Sequence, residues 1–89
     1  RAVLQHFSRI EPRFLALGLD IREWIEDDKG SLKLRFGNEL ELRLGSRDRD
    51  ERIEQFLSVY PEYIAPQQEA IRIIDFRYSN GFAVAWKKP

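Results

Sequence analysis

The sequence contains no cysteine, one histidine and no excess of charge of either sign. Without cysteine there is neither a disulfide framework nor a thiolate site for metal or redox chemistry, and the absence is compatible with both the cytosol and the periplasm. Fifteen basic residues balance fifteen acidic ones, so the overall attraction to phosphate that supports nucleic-acid binding is missing. The composition therefore disfavours redox, metal and nucleic-acid functions.

The sequence also lacks a signal peptide and any apolar run of the roughly 18 to 20 residues that a membrane-spanning helix needs. Its 89 residues predict one domain, residues 1–89. A domain of that size buries about 60 to 65% of the surface that its unfolded chain exposes. Because the chain begins at Arg1 without a methionine, we expect it to be a piece of a longer protein.

Residues that carry catalysis are scarce. His6 is the single imidazole, and no serine lies in a nucleophile elbow. A metal site is not predicted, because the histidine has neither a second imidazole nor an acidic pair at ligand spacing. Residues 45–47 precede a helix and offer amides to an anion, but ordinary capping is the favoured interpretation. We expect no catalytic residue, no metal and no cofactor.

A helix is predicted over residues 3–17. Its apolar stripe consists of Val3, Phe7, Ile10, Phe14 and Leu17. Pro12 removes a backbone donor and crowds the preceding turn, so a kink is expected near Ile10 or Glu11. Gly18 suits the left-handed conformation that closes a helix.

Strands are predicted next over residues 21–26, 32–36 and 40–44. The last two of these strands alternate between apolar and charged residues. A left-handed Asn38 in their connection opposes Lys33 to Glu41, whereas a shifted register opposes Lys33 to Arg43. The charges favour the first register.

A second helix is predicted from Asp48 to Tyr60. Asp48 and Glu51 have the spacing of a capping box, and Pro61 is expected to end the helix before a loop over 63–68. The buried stripe is predicted to contain Ile53, Phe56, Leu57 and Tyr60. The clustered arginines are Arg43, Arg47, Arg49 and Arg52. Acidic residues alternate with them, which favours a solvated face with local ion pairs over a nucleic-acid patch.

The C-terminal residues predict a β-hairpin with strands over 71–78 and 82–86. A three-residue turn, with Gly81 as the left-handed residue of a bulge, places the large side chains on one face. The opposed pairs are then Tyr78 with Phe82, Phe76 with Val84, and Ile74 with Trp86. A two-residue turn would divide these side chains between the two faces.

Asp75 and Arg77 are predicted to lie on the other face of the hairpin, beside the small Ala83 and Ala85. Two interpretations stay open, a surface ion pair and a recognition site. The element order predicts an α+β fold, α-β-β-β-α-β-β, with a mostly antiparallel sheet, two helices on one face and a C-terminal edge strand. Another polypeptide can add a strand to such an edge.

Residues 24–86 resemble the C-terminal part of the periplasmic β domain of the FtsQ family, called DivIB in other bacteria. The similar segments are residues 40–45, 48–53, 55–56, 60–61 and above all 75–86. In the last segment the family typically has Asp-Leu-Arg-Tyr, one or two turn residues, glycine, an apolar pair and tryptophan. Phe76 stands where leucine is usual, and Leu32 stands where tryptophan is frequent.

The resemblance implies a non-enzymatic scaffold of bacterial septum formation, at the periplasmic face of the inner membrane. FtsQ-like proteins bind the membrane-anchored proteins FtsB and FtsL, and FtsB supplies a strand to the last strand of the β domain. The resemblance implies neither a small-molecule substrate nor a nucleic-acid partner. It also implies that the membrane helix, the polypeptide-transport-associated domain and the opening strands of the β domain lie outside this sequence.

By position, the resemblance assigns partner binding to Arg77, Tyr78, Asn80, Gly81, Phe82, Ala83, Val84, Ala85 and Trp86. Arg77 would contact an acidic group, and residues 82–86 would supply main-chain hydrogen bonds. An alternative is that Tyr78 and Trp86 are mainly core residues. The alternative function is that of a small α+β nucleic-acid-binding module.

Overall fold

A computed structural model describes residues 2–78 and 81–88, with side chains from Arg9 onward. Its elements are α1 (Ala2–Leu15), β1 (Ile21–Glu26), β2 (Leu32–Phe36), β3 (Glu41–Gly45), α2 (Arg49–Val59), β4 (Ile71–Asp75) and β5 (Ala83–Trp86). A π-helical turn (Tyr60–Ile64) and a 3-10 segment (Ala65–Ala70) connect α2 to β4. The predicted α+β order is confirmed.

The strands form one five-stranded sheet in the order β1-β2-β3-β4-β5. Neighbouring strands are antiparallel except β3 and β4, which are parallel. Parallel neighbours need a long crossover connection, which α2 and the two helical segments after it provide. The edges of the sheet are β1 and β5, so the predicted C-terminal edge strand is confirmed.

The core lies between both helices and one face of the sheet. Phe14 of α1 stacks on Phe36 of β2 and on Phe56 of α2, each with ring centroids 5.6 Å apart. The fully buried aliphatic side chains around them include Leu34, Leu42, Leu44, Ile64 and Ile74. Burying each such side chain contributes about 1.5 to 3 kcal/mol relative to leaving it in water. Both helices therefore cover the same sheet face, as predicted.

Helix α1 ends at Leu15, before the predicted end at residue 17. Gly18 has a φ of 81°, which confirms its predicted left-handed conformation. Ile10 and Phe14 are buried, as the apolar stripe predicted. His6 and the first two side chains of that stripe lie outside the described side chains, and the kink at Pro12 stays a prediction.

The predicted register of β2 and β3 is wrong. Lys33 lies opposite Arg43, the arrangement that the charges disfavoured. Glu41 compensates for the repulsion between these two cations, because its buried carboxylate lies 2.6 Å from the Arg43 guanidinium and 3.4 Å from that of Arg35. One acidic group on the open sheet face thus pairs with two arginines and reduces the cost of placing like charges opposite each other.

The connection between β2 and β3 explains this register. Glu39, with φ 69°, occupies the left-handed position that was predicted for Asn38. The Asn38 side chain instead accepts a hydrogen bond from the Leu40 amide at 3.1 Å. The Phe36 amide donates to Leu40 O at 3.0 Å, so the three-residue loop comprises residues 37–39 and the pairing is displaced by two residues from the predicted register.

The predicted capping box at α2 is also wrong. Asp48 precedes the helix in a left-handed conformation, φ 51° and ψ 39°, and its side chain makes no capping hydrogen bond. A capping residue normally has extended φ and ψ, which direct its side chain over the first-turn amides. The Arg52 amide instead donates to the main-chain oxygen of Asp48 at 2.9 Å.

Pro61 does not end the helical path, and the predicted loop over 63–68 is helical. Pro61 lies in the first turn of the π-helical segment, which follows α2 without a break. Tyr60 and Ile64 of this turn are buried. The Tyr60 hydroxyl also donates to the Gln68 side chain at 2.5 Å, which ties the two helical segments together.

Candidate partner-binding edge

The C-terminal strands form the predicted hairpin in a different register. Ile74 lies opposite Val84 rather than Trp86, a shift of two positions. An even shift preserves the predicted faces, so Ile74 and Val84 still both lie on the core face. The predicted turn residues Ser79 and Asn80 lie outside the described residues, and Gly81 has a φ of 131°.

An aromatic contact accounts for this shift. The rings of Phe76 and Phe82 stack with centroids 4.9 Å apart, just beyond the last strand pair. Phe76 also meets Phe56 edge-on at 5.9 Å, so the contact reaches the centre of the core. The predicted Phe76–Val84 pair would place Phe82 opposite Tyr78 and lose this stacking.

The outer edge of β5 has no neighbouring strand in the part of the chain that the structure describes. The Phe76 amide donates to Arg43 O at 2.8 Å, so the even-numbered residues of β4 bond to β3. The odd-numbered residues of β4 therefore bond to Ala83 and Ala85 of β5. By alternation, Val84 and Trp86 direct their N–H and C=O groups outward.

Three aromatic side chains near this edge are exposed to solvent. Tyr78 is 57% exposed, Trp86 51% and Phe82 37%. The alternative that Tyr78 and Trp86 are mainly core residues is therefore wrong. Trp86 lies opposite Ile71, beyond an irregular step in the β4–β5 pairing.

Asp75 and Arg77 form a close ion pair beside the edge. The Arg77 side chain donates to both Asp75 oxygens at 2.6 to 3.0 Å, and the Arg77 amide donates to Oδ1 at 3.0 Å. Burial by itself raises the pKa of Asp75, but these bonds and the charges of Arg77 and Arg43 hold it below its ordinary value. The carboxylate is thus ionised at neutral pH.

The Arg77 guanidinium can still donate hydrogen bonds to a partner in spite of its ion pair with Asp75. Its side chain is half exposed, and among the described residues its Nη1 has no hydrogen-bond partner. Two shallow depressions meet at Arg77. Their other cationic lining residues are Lys33, Arg43, Arg47 and Arg52. The surface around Arg77 is therefore rich in positive charge.

Gly45 at the end of β3 brings the backbone close to Arg77. Its φ is 75°, and a Cβ atom at this position would lie 3.1 Å from Arg77 Cγ. A side chain here would be strained by its conformation and would also displace Arg77. The missing side chain of Gly45 thus leaves the space that the Arg77 side chain occupies.

The clustered arginines separate into different roles. Arg43 pairs with Glu41 two residues away, whereas Arg49 pairs at 3.1 Å with the distant Glu26 of β1 and not with a neighbouring acidic residue as local ion pairing predicted. Arg52 instead donates to the main-chain oxygens of Phe76 and Tyr78. Sequence reasoning missed this role, because nothing in the spacing of the arginines distinguishes Arg52 from the others.

The described residues contain no cluster of histidine and acidic side chains that could hold a metal ion. No helix among them is long and apolar enough to cross a membrane.

The chain is similar in sequence to known cell division proteins. A family model described as "Cell division protein FtsQ/DivIB, C-terminal" matches residues 1–77. The cell division protein FtsQ of Actinobacillus pleuropneumoniae is 31% identical over 86 residues, which cover 97% of this chain and 38% of the relative. That of Coxiella burnetii is 36% identical over 85 residues, covering 96% of this chain and 35% of the relative.

The cell division protein FtsQ of Vibrio cholerae is 32% identical over 84 residues, which cover 94% of this chain and 32% of the relative. The chain thus spans 32 to 38% of the length of these three relatives. Since the family model matches most of the sequence, the chain belongs to the FtsQ/DivIB family of cell division proteins.

Proposed function

We propose that this chain is a non-enzymatic scaffold module of the division machinery, which binds an FtsB-type protein by adding a partner strand to β5. The single observation that supports this is the edge position of β5, with Val84 and Trp86 directing their main-chain groups outward. The same docking would bring an associated FtsL-type protein to the module.

The family supports the cellular setting of the proposal. The relatives are cell division proteins, and the chain corresponds to about a third of each. We propose that it is the C-terminal portion of a β domain whose parent protein is membrane-anchored. That domain would lie at the periplasmic face of the inner membrane, at the division site.

Main-chain pairing supplies part of the binding free energy. Each added backbone hydrogen bond contributes about 1 kcal/mol net. Ordering a flexible partner segment costs roughly 2 to 5 kcal/mol, which offsets most of that gain. Side-chain contacts must then decide affinity and specificity.

The described residues offer two kinds of side-chain contact. Arg77, with a free Nη1 and cationic neighbours, suits an acidic partner residue. The exposed rings of Tyr78, Phe82 and Trp86 offer apolar area beside the edge. The proposed site consists of Arg77, Tyr78, Gly81, Phe82, Ala83, Val84, Ala85 and Trp86, with Asn80 outside the described residues.

A proline at Val84 tests strand addition. Val84→Pro removes an outward N–H that the β4–β5 ladder does not use, a position where edge strands tolerate proline. Val84→Ala is the matched control, since it loses the same packing but keeps the amide. Titration calorimetry with the purified periplasmic segment of FtsB from the same organism should show binding at least about tenfold weaker for proline than for alanine.

The fold of each variant is checked by circular dichroism before titration. Equal affinities of folded Val84→Pro and Val84→Ala would contradict strand addition at β5. Arg77→Glu provides a side-chain test, because it reverses the charge that an acidic partner residue would meet. It should weaken binding without unfolding the domain.

A further inference from the structure

Arg52 connects the helical layer to the segment that carries Arg77. It lies in the first half of α2, and its half-buried side chain crosses to the stretch between β4 and β5. There its Nη1 donates to the main-chain oxygen of Phe76 and, at 3.5 Å, to that of Tyr78. These two carbonyls flank Arg77 on either side.

The sheet holds the same segment from the other direction. The Phe76 amide donates to Arg43 O at 2.8 Å, and the Arg77 amide donates to Asp75 Oδ1 at 3.0 Å. The amides of Phe76 and Arg77 therefore bond to groups of β3 and β4, and the carbonyls of Phe76 and Tyr78 accept from α2. Among the described hydrogen bonds, those from Arg52 are the ones that join this segment to a helix.

The guanidinium is suited to this task. Both bonds come from Nη1, one arm of the planar guanidinium fork, whose two N–H groups have fixed directions, so one side chain can hold two carbonyl oxygens and thereby the path of the main chain between them. A lysine has a compact charge on a flexible stem and cannot fix both oxygens in the same way. Hydrogen bonds from charged donors are also stronger than neutral ones.

We propose that Arg52 is a positioning residue for partner recognition, which fixes the Phe76–Tyr78 main chain so that Arg77 and Tyr78 are presented beside the β5 edge. This inference rests on the proposed function, since it names how the recognition segment of that site is held. Arg52 itself need not touch the partner. Without it, the segment must be ordered at the moment of binding, which weakens affinity.

Two substitutions at Arg52 and one matched control test the proposal. Arg52→Ala removes the link, and Arg52→Lys keeps the charge without the fork. Arg49→Ala is the control, because Arg49 is also an α2 arginine that donates to a backbone oxygen, that of Gly30 at 3.2 Å. Calorimetry with the purified FtsB segment should show binding about tenfold weaker for Arg52→Ala and less than about twofold weaker for Arg49→Ala.

A double-mutant cycle separates positioning from general stability. If Arg52 acts through Arg77, its replacement should matter less in an Arg77→Ala background than in the native one. Amide hydrogen exchange gives a readout that needs no partner. In Arg52→Ala the amides of Phe76 and Arg77 should exchange faster, while those of β2 stay unchanged. Arg52→Lys should restore part of the affinity.

The outcomes distinguish this inference from the proposed function. If Arg77→Glu weakens binding while Arg52→Ala behaves like Arg49→Ala in affinity and exchange, positioning by Arg52 is wrong and strand addition stands. If neither Val84→Pro nor Arg77→Glu weakens binding, the proposed site is wrong. The proposed role of Arg52 in positioning that site is then wrong as well. An Arg52→Ala effect of equal size with and without Arg77 would overturn the inference by showing a general structural role.

Discussion

The two edges of the sheet differ in the features that control strand pairing. Strand β1 carries three charged side chains in six residues. Strand β5 has the sequence Ala-Val-Ala-Trp, without a charged side chain. Each edge strand has one irregular step in its pairing, so charge is the feature that differs. Charged side chains are one means by which natural sheets discourage unwanted pairing at their edges.

The difference shows that one edge is protected and the other is not. Arg22 and Glu23 on β1 pair with Asp20 and Arg35, so the charged groups are also anchored there. On β5 the neighbouring charges, Asp75 and Arg77, lie on the adjacent segment and leave the strand itself free of charge. The contrast supports β5 as the edge that receives a partner.

The largest expected effect concerns how the β5 edge is held to the core. Phe76 is 2% exposed and contacts both Phe56 and Phe82, so Phe76→Ala should cost about 3 to 5 kcal/mol of unfolding free energy. Trp86→Ala should cost less than about 1 kcal/mol, because the indole is half exposed. Denaturant unfolding monitored by circular dichroism measures both values.

The same two variants test whether Trp86 is a core residue. A buried tryptophan would cost about 3 kcal/mol or more on truncation to alanine. Similar losses for both variants would mean that Trp86 is a core anchor, and the β5 edge would then lack one of its exposed aromatic contacts. A loss confined to Phe76 would locate the anchor of the hairpin in the aromatic core.

A lysine placed on either edge tests the contrast directly. Ala85 and Ile25 both lie on the open sheet face, opposite Ile73 and Lys33 respectively. Ala85→Lys should weaken binding of the FtsB segment about threefold, because a charge on an edge strand disfavours pairing there. Ile25→Lys should leave affinity unchanged within about twofold, the difference that a surface substitution can make.

Calorimetry against the same FtsB segment compares these two lysine variants. Weaker binding by Ile25→Lys alone would transfer the proposed docking from β5 to β1. Equal weakening by both variants would point to a general effect of added charge instead of one edge.

The last comparison concerns how the stability contributed by two aspartates, Asp75 beside β5 and Asp27 after β1, depends on pH. The pKa of Asp75 is raised by burial but brought below its ordinary value by Arg77 and its amide. Its stabilising contribution is therefore present above the unfolded value of about 3.9 and is lost as the pH falls through the lower folded value. Asp75→Asn should cost about 1 to 3 kcal/mol at pH 7 and make the acid part of the stability curve flatter.

Asp27, in the turn after β1, provides the matched variant. Its pKa is also lowered, by hydrogen bonds from the amides of Ser31 and Lys29. Asparagine can still accept these bonds, and Asp27 is exposed, so Asp27→Asn should change the stability curve less than Asp75→Asn does. Thermal unfolding between pH 2 and 7 ranks the two variants. A reversed order would contradict the importance of the Asp75–Arg77 pair.

Sequence periodicity predicted the element order and the faces of the strands. Alternation in β2 and the apolar spacing in α1 depend on local geometry, which the sequence displays directly. Opposed charges, in contrast, did not predict the β2–β3 register. Glu41 pairs with Arg35 directly across the ladder and with Arg43 two residues along its own strand, and only the tertiary arrangement shows both contacts.

The C-terminal site could be predicted only in part, because some of its contacts also depend on the tertiary arrangement. The edge position of β5 follows from the hairpin and the chain order, but the hairpin register depends on the stacking of Phe76 on Phe82. The left-handed Asp48 and the helical continuation after Pro61 depend on packing beyond the local sequence. Arg52 contacts main-chain oxygens, and because every residue has a main-chain oxygen, no sequence motif identifies this contact.

The parallel pairing of β3 and β4 has a consequence for assembly. Strands β1 to β3 can form from neighbouring stretches of chain, whereas β4 joins them after the passage through α2 and two further helical segments. Contacts that close so long a connection form late in folding. Since β5 is attached to the sheet through β4, the exposed edge is present once the domain is complete. If β5 receives a partner strand as proposed, an intermediate in which β4 has not joined β3 would lack this edge in its native place, and partner binding would report that the domain is fully assembled.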